Sequence, residues 1–261
     1  MNRYSTLRRA FFSGKRFFLA NESRLTNHAF AAAAALALLL MAAPAAAGEA
    51  EWKQLHDQAA GHLQQGSLEQ AELFGRAALK EAESSLGPDH RATEQSLSTL
   101  SLALRLQGKQ EEALPLARRL VAIRTKRYGA DDPSTAIALH NNAEILIALD
   151  RFAEAEKLQG RALAVFEKKL GPNHVNTAAA LHNLGAILLK QEQYKEAEKY
   201  LRRALAAKEK ALKPGHLSIA HTLDNLAAAL EGQGRQIEAQ KYKLRAEGIR
   251  QRAQSPAKSG T

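Results

Sequence analysis

The sequence contains no cysteine. This absence excludes disulfides, thiolate metal sites, cysteine nucleophiles and lipid attachment to an N-terminal cysteine. Aromatic residues make up only 5% of the chain, and no segment alternates apolar and polar residues as a half-buried strand would. Leucine and alanine are abundant instead, so the composition favours an elongated helical core over a compact core filled by large rings.

Signatures of catalysis are also missing. The chain has no phosphate-binding Walker loop, no Gly-x-Ser-x-Gly nucleophile elbow, no His-Glu-x-x-His zinc helix and no EF-hand loop. Gly232-Gln233-Gly234 lacks the third glycine and the preceding strand of a dinucleotide fingerprint, and it is interpreted as a turn between helices. We therefore predict no catalytic residue, no cofactor and no metal site.

Long apolar runs are scarce, and the longest lies near the N-terminus. Residues 29–43 form an apolar run of about 15 residues, shorter than the roughly 20 that a membrane-spanning helix needs. A basic stretch precedes this run, and small residues around Ala47 follow it. This order predicts a signal peptide over residues 1–47, cleaved after Ala47, with no stable membrane span afterwards. A permanent anchor is the weaker alternative.

The signal peptide predicts export to the periplasm of a Gram-negative bacterium, or secretion. Arg8-Arg9-Ala10-Phe11-Phe12 resembles a twin-arginine export motif. The alternative is an ordinary basic leader that happens to carry two adjacent arginines, and the sequence leaves both routes open.

Basic residues outnumber acidic ones, 37 to 27, but the excess is confined to the two ends. One part of the excess lies in the predicted signal peptide at residues 1–47, and the other begins at Arg235 and runs to the C-terminus. The C-terminal part is interpreted as a solvated capping face, the alternative being a docking face for an acidic partner or anionic lipid. Because the mature protein is expected outside the cytoplasm, we predict no nucleic-acid partner.

A 42-residue period runs through the rest of the chain. Alanine recurs at this interval at five positions, and glycine at three followed by a lysine: Ala71, Ala113, Ala155, Ala197 and Ala239; Gly87, Gly129, Gly171 and Lys213. A fixed period of this size indicates a solenoid, in which each unit buries its apolar face by stacking on a neighbour.

Each unit is predicted to be a hairpin of two amphipathic helices. Leu181, Leu184, Gly185 and Leu188 lie on one helical face because their spacings are three, one and three residues. A polar break at 191–193 precedes a second run with the same spacing, which consists of Ala197, Leu201, Ala204 and Leu205. Small residues at positions such as Gly185 and Ala204 allow the two helices to approach closely.

This pattern resembles the tetratricopeptide repeat, with large, large, small and large residues on the first helix and Ala, large and Ala on the second. The other copies match at Leu97, Leu100, Ser101, Leu104, Ala113 and Leu120; at Leu139, Ala143, Leu146, Ala155 and Ala162; and at Leu223, Leu226, Ala227, Leu230, Ala239 and Ala246. The usual period of that family is 34 residues. The longer repeat resembles those of kinesin light chains and their bacterial relatives.

HEAT-type repeats have a similar period, but the Ala-x₃-Leu-x₂-Ala second helix and the short hairpin turn favour the tetratricopeptide pattern. The resemblance implies an all-α solenoid of stacked antiparallel hairpins over residues 48–253. Its five repeats are expected at about 49–86, 87–128, 129–170, 171–212 and 213–253, with a disordered tail at 254–261. The first copy is degenerate, having Gln58 and His62 where leucine is expected, as is typical of a terminal repeat.

Histidines recur in the loops between repeats. His90, His174 and His216 follow the period, and Asp132 takes the matching place in the remaining copy. This recurrence favours hydrogen bonding at the start of each first helix over metal binding. His140 and Glu144 are one helical turn apart but supply only two ligands, without a clear third.

The resemblance also implies a concave groove lined by the first helix of each hairpin. Asn141, Asn183 and Asn225 form one row along it. They resemble the groove asparagines with which kinesin-light-chain-like repeats hold the main chain of an extended peptide. An amide offers both a donor and an acceptor, so it can pair with any peptide unit. In the alternative, these amides bond the adjacent helix and only support stacking.

The groove residues expected to set specificity are His140, Glu144, His182, Lys190, His221 and Asp224. The histidines among them allow binding that varies between about pH 5 and 8. We therefore expect a non-enzymatic scaffold that binds an unidentified peptide or partner protein. The alternative is a structural, self-associating component of a cell-envelope complex, and an enzyme is the third and weakest hypothesis.

Overall fold

The computed structural model describes residues 46–254, and this range contains helices and turns but no strand. The helices are α1 (46–64), α2 (Leu68–Glu81, continued by a π-helical turn at Ala82–Leu86), α3 (Arg91–Leu106), α4 (Gln110–Tyr128), α5 (Pro133–Ala148), α6 (Phe152–Leu170), α7 (Val175–Lys190), α8 (Tyr194–Ala211), α9 (Leu217–Glu231) and α10 (Gln236–Gln254). The predicted all-α class is confirmed.

Two sequence predictions lie almost entirely outside the described residues. The predicted signal peptide contributes only its last two residues, which belong to α1, and the predicted disordered tail contributes only Gln254, at the end of α10. Both therefore remain predictions. Between residues 46 and 254, no helix is long and apolar enough to cross a membrane.

Consecutive helices pack in pairs along the chain, and each pair packs on the next. The helices α3 and α4, α5 and α6, α7 and α8, and α9 and α10 form hairpins, and each second helix then contacts the first helix of the following hairpin. Pro115 lies inside α4 and does not shift the start of this helix, since α4 begins at Gln110, 42 residues before the start of α6 at Phe152.

The helices α3, α5 and α7 start with the same two hydrogen bonds, and α9 keeps the first of them. The N-cap side chain accepts from the backbone N–H two residues later, over 2.8 to 3.2 Å, at His90, Asp132, His174 and His216. Buried threonines donate to the carbonyl of the preceding loop glycine, over 2.7 to 2.9 Å, at Thr93, Thr135 and Thr177. The capping role predicted for the loop histidines is confirmed.

The last loop departs from this pattern because Lys213 replaces the glycine. The earlier loop glycine, Gly171, has φ of +90°, a conformation that a residue with a Cβ adopts only with strain. Before Lys213, α8 ends one residue earlier, and Gly215 takes the positive φ instead. Ile219 stands where the other repeats have threonine, so the threonine–glycine bond is also absent from this loop.

The core consists mainly of leucine and alanine side chains buried between the helices. Leu181, Leu184 and Leu188 are each no more than 4% exposed, as the periodic pattern predicts. Within the same hairpin, a Cβ placed on Gly185 would lie 2.5 Å from Cγ of Leu201. The helices α7 and α8 therefore approach so closely at this point that only glycine fits without displacing the leucine.

The odd-numbered helices form the inner layer of the stack. The helix α7 contacts both α5 and α9 directly, whereas no comparable contact joins the even-numbered helices in the described range. Because the first helices lie closer together than the second helices, the stack curves towards them. Their free face is the concave surface that the sequence predicted, and it is called the inner groove below.

Polar residues close the C-terminal end of the stack. Where α8 presents Leu201 and Leu205 to the next hairpin, the equivalent residues of α10 are Lys243 and Glu247. Several cations of this segment are paired: Arg235 with Glu198, Lys243 with Glu231, Arg245 with Glu209 and Arg250 with Asp224. This arrangement favours the interpretation of the basic C-terminus as a capping face.

We predict that Gly185→Ala lowers the free energy of unfolding by about 1–3 kcal/mol, because the added methyl group overlaps Leu201. Gly160→Ala is the matched control. Gly160 is also helical, and nothing lies within 4 Å of a Cβ built there, so the same substitution should raise stability by about 1 kcal/mol through helix propensity. Urea unfolding followed by circular dichroism measures both; equal effects would contradict the close approach.

Candidate partner-binding groove

Three asparagines occupy equivalent places on the inner groove. Asn141, Asn183 and Asn225 lie on α5, α7 and α9, and all three side chains are half-buried. The structure records no hydrogen bond between any of these amides and the rest of residues 46–254. The alternative that they only bond the adjacent helix therefore finds no support. Each amide keeps its donors and its acceptor for another molecule.

Asp224 lies next to Asn225 in sequence but is already paired. Two nitrogens of the Arg250 guanidinium contact its carboxylate oxygens at 2.7 and 3.2 Å. A bidentate pair of this kind holds the carboxylate in one orientation. Asp224 is therefore part of the C-terminal cap as well as of the groove wall.

His140 and Glu144 belong to a small network in the middle of the groove. His140 Nδ1 lies 2.9 Å from Nε2 of the fully buried Gln159, and its Nε2 lies 3.6 Å from Glu144 Oε1. Arg105 reaches the same carboxylate from the preceding hairpin at 3.3 Å. Burial lowers the pKa of His140, and this effect outweighs the opposing influence of Glu144.

His182 lies above a buried lysine that the sequence analysis did not identify. The hydroxyl oxygen of Thr222 lies 3.1 Å from His182 Nδ1 and 2.8 Å from Lys208 Nζ, and Lys208 also donates to the carbonyl of Ser218 at 3.2 Å. Lys208 is only 5% exposed. It is held by neutral oxygens, and no carboxylate of the described residues pairs with it.

This arrangement shifts both pKa values. Burial, followed by the charge of Lys208 and then by His221, lowers the pKa of His182 to about 3. Burial alone lowers the pKa of Lys208 to about 8. The expectation that the groove histidines change binding between pH 5 and 8 is therefore wrong for His182, which stays neutral across that range. The pKa of His140 is also lowered, which argues against a change of charge at His140 in that range.

Two of the expected specificity residues remain available. Lys190, at the end of α7, and His221, on α9, are exposed. Neither side chain has a hydrogen bond or ion pair recorded within the described part of the chain. Together with the three asparagines, they form a polar surface along the C-terminal half of the groove.

An ion network joins α3 to α4 in the second repeat. The Glu94 carboxylate, 6% exposed, is contacted by Arg124 at 2.9 Å, Arg127 at 3.4 Å and the Tyr128 hydroxyl at 3.0 Å. Arg124 occupies the same place in its repeat as Lys208 does in the fourth. The signal that could have revealed this row is a position of the second helix that is apolar in some repeats and charged in others. It holds Ala82 and Phe166 in two repeats, and Arg124, Lys208 and Arg250 in the other three.

No group of three or more histidine or acidic side chains among residues 46–254 could hold a metal ion. His140 and Glu144 lie close together, but the group that joins them is the cation Arg105, which contacts Glu144 and cannot bind a metal ion. The arrangement presents hydrogen-bonding groups along a groove and does not concentrate them at one reacting point.

A family model described as the tetratricopeptide repeat matches residues 53–126, 134–210 and 180–252. A search of curated proteins gave no match. Among solved structures, a Podosopora anserina protein described as having nearly identical kinesin-light-chain TPR-like repeats is 25% identical, with a TM-score of 0.65 over 79% of this chain and 98% of that one.

Two further structures share the fold at lower identity. BtubC (BKLC) from P. vanneervenii is 20% identical, with a TM-score of 0.64 over 85% of this chain and 96% of that one. The MamA protein is 17% identical, with a TM-score of 0.56 over 80% of this chain and 97% of its own. The helical hairpins between residues 46 and 254, with their 42-residue period, therefore match the kinesin-light-chain type of repeat.

We predict that Lys208→Met stabilises the protein at pH 7, and that this gain disappears as the pH rises from about 8 to 10.5. Between these values the unfolded chain keeps a proton that folded Lys208 releases, so the stability of the wild type rises relative to the variant. The shift corresponds to at most about 3 kcal/mol. Urea unfolding across this pH range measures the difference.

The exposed Lys195 on α8 provides the control for this measurement. Lys195→Met should change stability by the same small amount at every pH. A difference between Lys208→Met and the wild type that does not vary with pH would contradict the burial of an unpaired cation.

Proposed function

Because the chain belongs to the tetratricopeptide repeat family, with repeats of the kinesin-light-chain type, we propose that it is a non-enzymatic scaffold that binds an extended segment of a partner protein in its inner groove. The family generally mediates protein–protein interaction. The fold itself supports protein binding in general; binding of an extended segment in the inner groove is what this proposal adds.

The observation that carries the proposal is the row of free amides. Asn141, Asn183 and Asn225 recur at one place in three successive hairpins, and none is used for bonding within residues 46–254. Because these amides are only half-buried, water can reach them in the free protein. An extended chain can replace that water because its peptide units offer donors and acceptors along its length.

The side chains around the three asparagines indicate which helices the bound segment crosses. Lys190 and His221 are exposed and lie on the same helices as Asn183 and Asn225. We therefore place the bound segment across α5, α7 and α9. His140, Glu144, His182 and Asp224 line this stretch but act through their fixed positions, because each is already engaged within the protein.

The proposal includes export. The basic stretch, the apolar run at 29–43 and the small residues around Ala47 support a signal peptide over residues 1–47 and a periplasmic or secreted protein. The partner would then be a protein of the cell envelope or of the exterior.

A second candidate function is self-assembly, and one observation favours it. Ile237 and Leu244 are 81% and 57% exposed and lie two turns apart on α10. Two apolar side chains on one helical face form a small surface that a second copy could cover. Light scattering distinguishes the candidates, since a scaffold that acts alone is a monomer and an assembling component forms larger species as its concentration rises.

The triple variant Asn141→Ala, Asn183→Ala and Asn225→Ala tests the groove. Peptides selected from a random phage-displayed library against residues 48–261 should bind the wild type, and the variant should bind them about 100-fold more weakly, because three hydrogen bonds of roughly 1 kcal/mol each are lost. Fluorescence anisotropy measures the affinities. The melting temperature should not fall, since these amides make no internal hydrogen bond.

Asn173→Ala is the matched control, because Asn173 is an exposed asparagine in the loop before α7 and lies outside the groove. It should leave peptide affinity unchanged. Selected peptides that bind the triple variant as tightly as the wild type would exclude the amide row as the binding element.

A further inference from the structure

A cavity lies on the outer side of the third hairpin, away from the inner groove. It has a volume of about 330 Å³, is open to solvent on one side and is lined by α4, α5 and α6. Its walls are apolar and include Val121, Leu139, Leu146 and Leu158. Pockets that bind small molecules combine such walls with a few polar groups, and this volume falls at the small end of their range.

The cavity floor carries a polar side chain where the pattern of repeats requires leucine. Asn142 lines the cavity and is only 3% exposed. The equivalent residues of the second, fourth and fifth repeats are Leu100, Leu184 and Leu226, all buried. Asn142 Oδ1 is buried without a hydrogen-bond partner. A lone buried amide costs stability, so its presence at a leucine position calls for an explanation.

The wall also differs from the equivalent place in the two repeats that follow. Leu158 stands where the next two repeats have Tyr200 and Tyr242. The ring of Tyr200 packs against the core on both of its sides. The smaller Leu158 leaves the corresponding space in the third repeat open, and the cavity occupies it.

The rim of the cavity carries a cation that has lost its usual partner. On the outer face, the arginine of one second helix pairs with a glutamate of the preceding second helix in three places: Arg119 with Glu83, Arg203 with Glu167, and Arg245 with Glu209. Arg161 is the arginine of the third repeat, but Thr125 replaces its glutamate. No ion pair of Arg161 is recorded in the described range.

Two more cations lie on the same rim. Lys157 is one helical turn from Arg161, is exposed, and has no ion pair among the described residues. Arg118 is paired with Glu154 at 3.1 Å. The four charged rim residues therefore leave an excess of two positive charges, and an anionic group at this position would be attracted to them.

We propose that this cavity is a binding site for a small hydroxyaryl carboxylate. The carboxylate would pair with Arg161 and Lys157 at the rim, the ring would lie between the apolar walls, and the hydroxyl would donate to Asn142 Oδ1 at the floor. The site is separate from the inner groove, because Asn141 faces the groove and Asn142 faces the cavity. The proposal does not depend on peptide binding.

The test uses 4-hydroxyphenylacetate as the probe and protein expressed from the full-length sequence. Titration followed by nitrogen–proton NMR should show saturable binding at one site, with a dissociation constant in the millimolar range typical of a ligand of this size. The side-chain amide signals of Asn142 should shift. Phenylacetate lacks the hydroxyl and 4-hydroxyphenylacetamide lacks the charge, and each should bind about tenfold more weakly.

Three variants copy residues of the neighbouring repeats into the site. Leu158→Tyr fills the cavity, Asn142→Leu removes the amide, and Thr125→Glu restores the carboxylate that pairs with arginine elsewhere. Each should weaken binding of 4-hydroxyphenylacetate at least tenfold. Leu116→Tyr is the matched control, because it makes the same change one repeat earlier, outside the cavity, and should leave the affinity unchanged.

Folding and binding can be distinguished in this experiment. Circular dichroism reports whether a variant keeps its helices; Thr125→Glu acts at the rim and serves as the deciding variant if either substitution inside the cavity disturbs the fold. Absence of saturable binding to the wild type, or unchanged binding to Leu158→Tyr or Thr125→Glu in folded protein, would overturn the proposal. The triple asparagine variant should bind the probe as the wild type does.

Discussion

The close contact between the two helices of a hairpin is the constraint on which the rest of this structure depends. Each helix can bury its apolar face only against its neighbours, and the neighbours approach only where a small side chain lies between them. Gly185 against Leu201 is the tightest example, and buried alanines repeat the arrangement along the chain. Because the core residues hold the stack together, the inner faces of α5, α7 and α9 are free to carry polar side chains.

Much of this arrangement could be predicted from the sequence because the core repeats every 42 residues. The period located the hairpins, the buried leucines and the capping role of His174, and it placed Asn183 and its equivalents on one face. The period could not give the kind of contact made at one pair of positions, because the side chains there change type from repeat to repeat. His140 packs against Phe166, His182 lies above Lys208 through Thr222, and Asp224 pairs with Arg250.

Departures from the repeating pattern mark the places where the protein carries polar groups at a cost in stability. Lys208 is a buried cation without a carboxylate partner, and Asn142 is a buried amide at a leucine position. A sequence is expected to break its own local rules mainly where binding requires it. The two departures lie on different surfaces: Lys208 lies beneath the inner groove, and Asn142 lies on the outer side of the third hairpin.

The central claim is that the inner asparagines bind the main chain of a partner, and the side-chain amide signals of Asn141, Asn183 and Asn225 test it most directly. In the free protein their protons should exchange rapidly with water, because they make no internal hydrogen bond. Saturation with a bound peptide should slow that exchange and shift all three signals together. Unchanged exchange at the three amides in a saturated complex, with shifts confined to the even-numbered helices, would contradict the account.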